Sequence, residues 1–147
     1  MKRLTLTLIA TAILAAINTY AAELTWGSDL PKALATAKAE KKVVLVDFTG
    51  SDWCGWCIKL KKETFDQPAF ADYAKANLVL VELDFPKGKP QSDALKKANK
   101  DLQKKYAVTG FPTLVVFDGD GKELGRQVGY LKGGPAAFTK MIDGFKK

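Results

Sequence analysis

Two apolar runs constrain this chain most: VVLVDFTG at 43–50 and LVLVELDF at 78–85. Both are nearly unbroken and rich in β-branched and aliphatic residues, the pattern of strands buried on both faces. Such a strand needs a covering layer above and below it. The residues between the runs supply helices for one layer. The segment opening at Cys54 reads as a helix to about Thr64, and DQPAFADYAKAN at 66–77 as a short helix with Pro68 near its start. Strand, helix, strand in this order favours parallel pairing.

The flanks complete the pattern. Ser28 is the expected cap of a helix starting near Asp29, with Pro31 in its first turn and Leu30, Ala33, Leu34 and Ala37 on one face. PKGKPQS at 86–92 reads as a loop. A helix follows, with Leu95, Ala98, Leu102 and Tyr106 on one stripe. TLVVFD is a further strand, DGDG at 118–121 a hairpin turn, and KELGRQVG the returning antiparallel strand. Gly133 and Gly134 lead to Pro135 and a last helix with Phe138, Met141, Ile142 and Phe145 at helical spacing. The expected fold is α/β: a mixed central sheet flanked by helices, ending in a β-hairpin and a helix.

The first residues have another character. Lys2 and Arg3 precede an uncharged, mostly apolar run at 4–17, and Asn18, Thr19, Tyr20, Ala21 and Ala22 close it. This is the three-part layout of a secretory signal, with cleavage expected after Ala21. The run is short for a span, which needs about 20 residues. The expected division is a signal at 1–21 and one domain at 22–147, in an exported, periplasmic or secreted protein. The net charge of +7 then falls, since 21 of the 23 basic residues remain against 16 acidic ones. Lys41, Lys61, Lys87, Lys96 and Lys104 are scattered, which reads as solvated surface rather than as a nucleic-acid site.

Cys54 and Cys57 are the only cysteines, set in SDWCGWC between Trp53 and Trp56 and just past the first strand. A cysteine at a helix N-terminus is stabilised as thiolate, the reactive form. Cys57 lies about one turn later on the same side and can attack a mixed disulfide held on Cys54. Gly55 and Trp56 fill the gap, and Trp53 offers flat apolar surface for a docking peptide. Other readings are weaker. Zinc needs about four ligands, and two cysteines with no histidine fall short, so no metal is expected. The lack of histidine also excludes serine–histidine and cysteine–histidine catalysis. A purely structural bridge across so short a loop removes little unfolded-state entropy.

Four features in order then resemble the thioredoxin family: VDF with Asp47 seven residues before the first cysteine, WCGWC at a strand-to-helix junction, GFPT at 110–113, and VGY at 128–130. The residues before Trp53 and the loop and helix at 86–106 look like the branch of short exported thioredoxin-like proteins. The resemblance implies a thiol–disulfide oxidoreductase with Cys54 as nucleophile and Cys57 as resolving thiol. It implies a cis Pro112 facing the pair, and a Phe111 backbone that pairs with a bound peptide. It implies a buried Asp47 that takes or returns the proton of Cys57. No cofactor is implied. The expected partners are disulfide-containing proteins and a membrane-embedded thiol donor.

The chain departs from the family in two places. Where family members often carry a lysine near the buried acid, this chain has Glu82. The dipeptide between the cysteines is Gly-Trp, with no histidine, and Asp52 lies two residues before Cys54. A cation there would favour the thiolate and make the disulfide more oxidising, and an anion acts in the opposite sense. The expectation is therefore a reductase of protein or small-molecule disulfides. The alternatives are a disulfide oxidase or isomerase, or a non-catalytic peptide-binding module of the same fold.

Overall fold

The structure is a computed structural model that describes residues 24–147. The expected signal at 1–21 lies outside the described residues. Five strands form one sheet: β1 (Trp26–Gly27), β2 (Val43–Thr49), β3 (Leu78–Asp84), β4 (Thr113–Phe117) and β5 (Glu123–Val128). Their order is β1-β3-β2-β4-β5. β2 pairs parallel to β3, β3 parallel to β1, β4 antiparallel to β2, and β5 antiparallel to β4.

The two apolar runs are thus neighbours at the centre, and their alternation sorts two cores. Val44, Val46 and Phe48 of β2 point to one face, with Val81 and Leu83. That face is covered by α1 (Leu30–Glu40) and by Leu102 and Tyr106 at the end of α4 (Asp93–Lys105). Leu45 points the other way, with Leu78 and Leu80. This second face is covered by α2 (Gly55–Leu60), α3 (Pro68–Asn77) and α5 (Gly134–Phe145). Aromatic rings fill it: Phe138 meets Phe70 at 5.2 Å and Phe65 at 5.8 Å, each edge to face.

The structure differs from the expected elements in four places. Asp29 caps α1, accepting from Lys32 N–H at 3.0 Å, so Ser28 stays outside. β1 was not anticipated, because two residues carry no periodicity. Trp26 in it packs on Phe65 with centroids 5.1 Å apart. The helix after the cysteines changes character, with a π-helical turn at Lys61–Phe65 following α2. On α4, Ala98 is exposed and Asn99 takes the buried place, donating from Nδ2 to the Asp84 carbonyl at 2.9 Å. An amide is useful there because the helix meets the polar end of β3 rather than its apolar middle.

The hairpin turn has a steric reason. Asp118 Oδ1 accepts from the Asp120 and Lys122 N–H groups, each at 2.9 Å. Gly119 lies against α1, where a Cβ would come within 2.6 Å of Lys38 Cα. Only glycine lets the turn approach so closely.

Phe138 is fully buried at the meeting point of these rings. Phe138→Ala is expected to cost about 3–5 kcal/mol in urea unfolding, because the void between the Phe65 and Phe70 rings cannot close. A loss under about 1 kcal/mol would mean that the cluster is loosely packed.

Candidate active site

β2 ends at Thr49, and the chain turns at once. Cys54 N–H donates to the Gly50 carbonyl at 2.8 Å. Gly50 carries the Trp53 ring on its backbone: a Cβ would lie 2.5 Å from Trp53 Cε2. Two carboxylates hold this turn. Asp84, at the end of β3, accepts from the Ser51 N–H at 2.9 Å and hydroxyl at 2.6 Å. Asp52 accepts from the N–H groups of Lys87, Gly88 and Lys89 at 3.0, 2.6 and 3.1 Å. Those bonds, Lys87 first, hold the Asp52 carboxyl below the usual carboxylate range. Its charge is directed into the 86–92 loop, a role its place in the sequence did not suggest.

Cys54 is the N-cap of α2, and its sulfur accepts from the Cys57 N–H at 3.3 Å. The two cysteines are joined as a disulfide, with Cα atoms 5.2 Å apart. Cys54 is 7% and Cys57 4% exposed. The pair is buried just beneath the surface, flanked by tryptophans that are exposed. Trp53 is 41% and Trp56 58% exposed, and Gly55 between the cysteines is open. Trp53 is held on three sides: its Nε1–H donates to the Phe85 carbonyl at 2.7 Å, Phe111 meets it edge-on at 6.0 Å, and Lys87 Nζ lies 4.1 Å from its ring. Trp56 packs on Tyr130 at 5.4 Å, with Lys59 Nζ near both rings.

The Phe111–Pro112 peptide is cis. Phe111 also stacks on Phe85 at 5.0 Å, which places this turn beside Trp53. The Pro112 carbonyl accepts from Gly129 N–H at 2.8 Å, whereas Phe111 makes no backbone–backbone hydrogen bond among the described residues.

Asp47 lies in β2, on the face that also carries Leu45. It lines a cleft of about 400 Å³ with Cys57, Thr49, Lys61 and Glu82. Asp47 is buried, and its Oδ1 has no hydrogen-bond partner among the described residues. Burial pushes its carboxyl well above the usual range, and the charges of Glu82 and Asp84 push the same way. Glu82, the residue expected near the buried acid, stands beside Asp47 in register. Lys61, read from sequence as surface, lines the same cleft. The signal was its spacing: four residues after Cys57 is one helical turn.

A mixed sheet between helices, with a bonded Cys-x-x-Cys at the head of a helix, defines the class of thioredoxin-like oxidoreductases. The family model described as a thioredoxin-like domain matches residues 30–146, and the chain belongs to this family. The chain is 40% identical over 122 residues to the disulfide bond reductase DsbH of Chlamydia pneumoniae, covering 83% of this chain and 72% of that protein. It is 30% identical over 126 residues to the thioredoxin-related protein DsbJ of the same organism, covering 86% of this chain but only 36% of DsbJ. A solved structure of a DsbH oxidoreductase superposes with a TM-score of 0.77 at 37% identity, over 96% of this chain and 93% of that one. Among the described residues no helix is long and apolar enough to cross a membrane.

Two outcomes follow from the carboxylates. The folded-state pKa of Asp47 lies above its unfolded value, so the unfolded chain ionises first. Stability is therefore lost as pH rises from about 4, the ordinary carboxylate range, toward the raised value. Asp47→Asn is expected to raise the urea midpoint at neutral pH, with the gain vanishing in acid. A variant less stable than the parent at neutral pH would contradict this. For Asp52→Ala, amide exchange at Lys87, Gly88 and Lys89 is expected to speed up about tenfold while β3 amides stay protected.

Proposed function

We propose that the protein is an exported reductase of protein disulfides. The observation that carries this reading is the bonded Cys54–Cys57 pair at the head of α2, with the Cys57 N–H on the Cys54 sulfur. When the pair is reduced, the same N–H and the helix N-terminus favour a Cys54 thiolate.

The exchange runs in two steps. Cys54 thiolate attacks a disulfide of the partner; one partner sulfur leaves as thiolate and the other is held on Cys54. Cys57 gives its proton to Asp47 and attacks the Cys54 sulfur. The mixed disulfide breaks, the second partner sulfur leaves, and the Cys54–Cys57 bond forms. The partner gains two electrons and the protein loses two. A dithiol protein must then return them, and for an exported chain a membrane-embedded thiol donor fits. The exposed Trp53, Gly55 and Trp56, the half-buried Phe111 and the buried cis Pro112 behind it frame the docking surface. The unpaired backbone of Phe111 suits an extended peptide added as a strand.

Two observations support the reducing direction. Gly55 and Trp56 place no cation between the cysteines, so nothing there makes the disulfide strongly oxidising. The relative that shares 40% identity over most of both chains is named a disulfide bond reductase. Export rests on the three-part layout of residues 1–21.

Equilibration against glutathione or dithiothreitol buffers is expected to give a potential of about −270 to −230 mV, and about −180 to −120 mV would reverse the direction. Cys57→Ser is expected to accumulate mixed disulfides with its partners in cells, and Cys54→Ser none. A Cys57→Ser protein that traps nothing would remove the exchange mechanism.

A further inference from the structure

Each of the two exposed tryptophans beside the disulfide carries a lysine. Lys87 Nζ lies 4.1 Å from the Trp53 ring centroid. Lys59 Nζ lies 5.4 Å from the Trp56 centroid and 5.1 Å from that of Tyr130. An ammonium within about 6 Å of an aromatic centroid is attracted to the negative face of the ring. The rings therefore hold two cations at the rim of the cysteine pair, on side chains that would otherwise sweep through solvent. Both lysines are exposed. A third, Lys132, is exposed as well and shares a shallow groove with Trp56, Lys59, Glu63 and Tyr130.

The carboxylates near these cations are already engaged. Asp52 accepts from three N–H groups of the 86–92 loop. Glu63 accepts from the Tyr130 hydroxyl, and its other oxygen stands 4.0 Å from Lys59. Among the described residues, Lys87 and Lys132 pair with no carboxylate. The rim is thus aromatic and cationic, and the acids beside it have few lone pairs left to neutralise it.

We propose that Lys59, Lys87 and Lys132 determine partner choice: the disulfide that docks here belongs to an acidic segment, with Asp or Glu side chains beside the attacked cysteine. This rests on the exchange reading and its docking surface, and narrows the class of partner. A partner carboxylate meets an ammonium already held over a ring, so little side-chain freedom is lost on contact. The apolar part of the same segment lies on the indoles. Opposite charge also steers the encounter, and a basic segment is repelled by the same three groups. The lysines act on docking and leave the two exchange steps as described.

The test uses three disulfide-linked peptides that differ only in the residues beside the cysteine: Glu, Gln or Lys. Each is mixed rapidly with the full reduced chain, and exchange is followed by tryptophan fluorescence. Every rate is divided by that of the same peptide with dithiothreitol, which removes the effect of the flanks on the leaving thiol. The Glu peptide is expected to react fastest and the Lys peptide slowest, with a ratio of about tenfold at low salt. That ratio is expected to shrink as salt rises to about 0.5 M, because the charges are exposed. Lys59→Gln and Lys87→Gln are each expected to lower it by about two- to fivefold, and Lys59→Arg to keep it. A merely structural role would slow all three peptides alike and leave the ratio in place. Equal normalised rates for the Glu and Lys peptides in the parent would overturn the proposal while the exchange reading stands. So would a ratio indifferent to salt and to both substitutions. The converse case is read from the Cys54→Ser, Cys57→Ser chain, titrated with the same sequences carrying serine for cysteine and followed by the indole N–H shifts. Tighter binding of the Glu sequence there supports the surface even if the parent exchanges with no peptide, and equal binding overturns it.

Discussion

Strand β2 has no wet side. It is paired on both edges, by β3 and by β4, and helices cover both of its faces. Each of its residues is therefore committed to one core or the other, and a slip of one position would exchange the two sets. Asp47 is the exception in this strand: a carboxylate at a position that otherwise belongs to the aromatic core. Its burial is imposed by the strand. The same strand ends at Thr49 and so delivers Cys54 to the head of α2, and Cys57 to the cleft above Asp47. The redox pair and its acid keep a constant relation because one rigid strand positions both.

The approach to the cysteines is held mainly by carboxylates that accept from backbone N–H groups. Asp84 binds Ser51, and Asp52 binds three consecutive amides of the 86–92 loop. Trp53 is fixed between the two segments by the Phe85 carbonyl, the Phe111 ring and the Lys87 ammonium. An exposed tryptophan held this way presents a rigid apolar surface. Little rotamer freedom is left to lose when a peptide docks on it. Trp56 rests on Tyr130 across the other side of the pair, so the two rings flank the disulfide with different polar neighbours.

Much of this was legible in the chain. The two apolar runs gave the central strands to within a residue, because burial on both faces leaves an unbroken pattern. Pro68 and Pro135 marked helix starts, since proline suits a first turn. DGDG marked the hairpin. What failed was short or shared between elements. β1 has two residues and no pattern, and Asp29 and Ser28 are equally good caps by type. Ala98 fitted an apolar stripe that the structure rotates toward Asn99, because α4 meets the end of β3 where a carbonyl needs a donor.

The sequence by itself determined four of the five strands, most helices, and the local chemistry of Cys54 and Cys57, because these depend on residues a turn or less apart. Tertiary structure alone decided what surrounds them. Asp52 was a negative charge near a cysteine in the chain and is a clamp on a distant loop in the fold. Lys61 was one of many scattered lysines and proved to line the cleft of Asp47 and Glu82. The physical reason is range. Helix and strand preference is settled by neighbours along the chain. The charge felt by a buried carboxyl is settled by whatever the packed sheet and helices bring within a few ångströms of it.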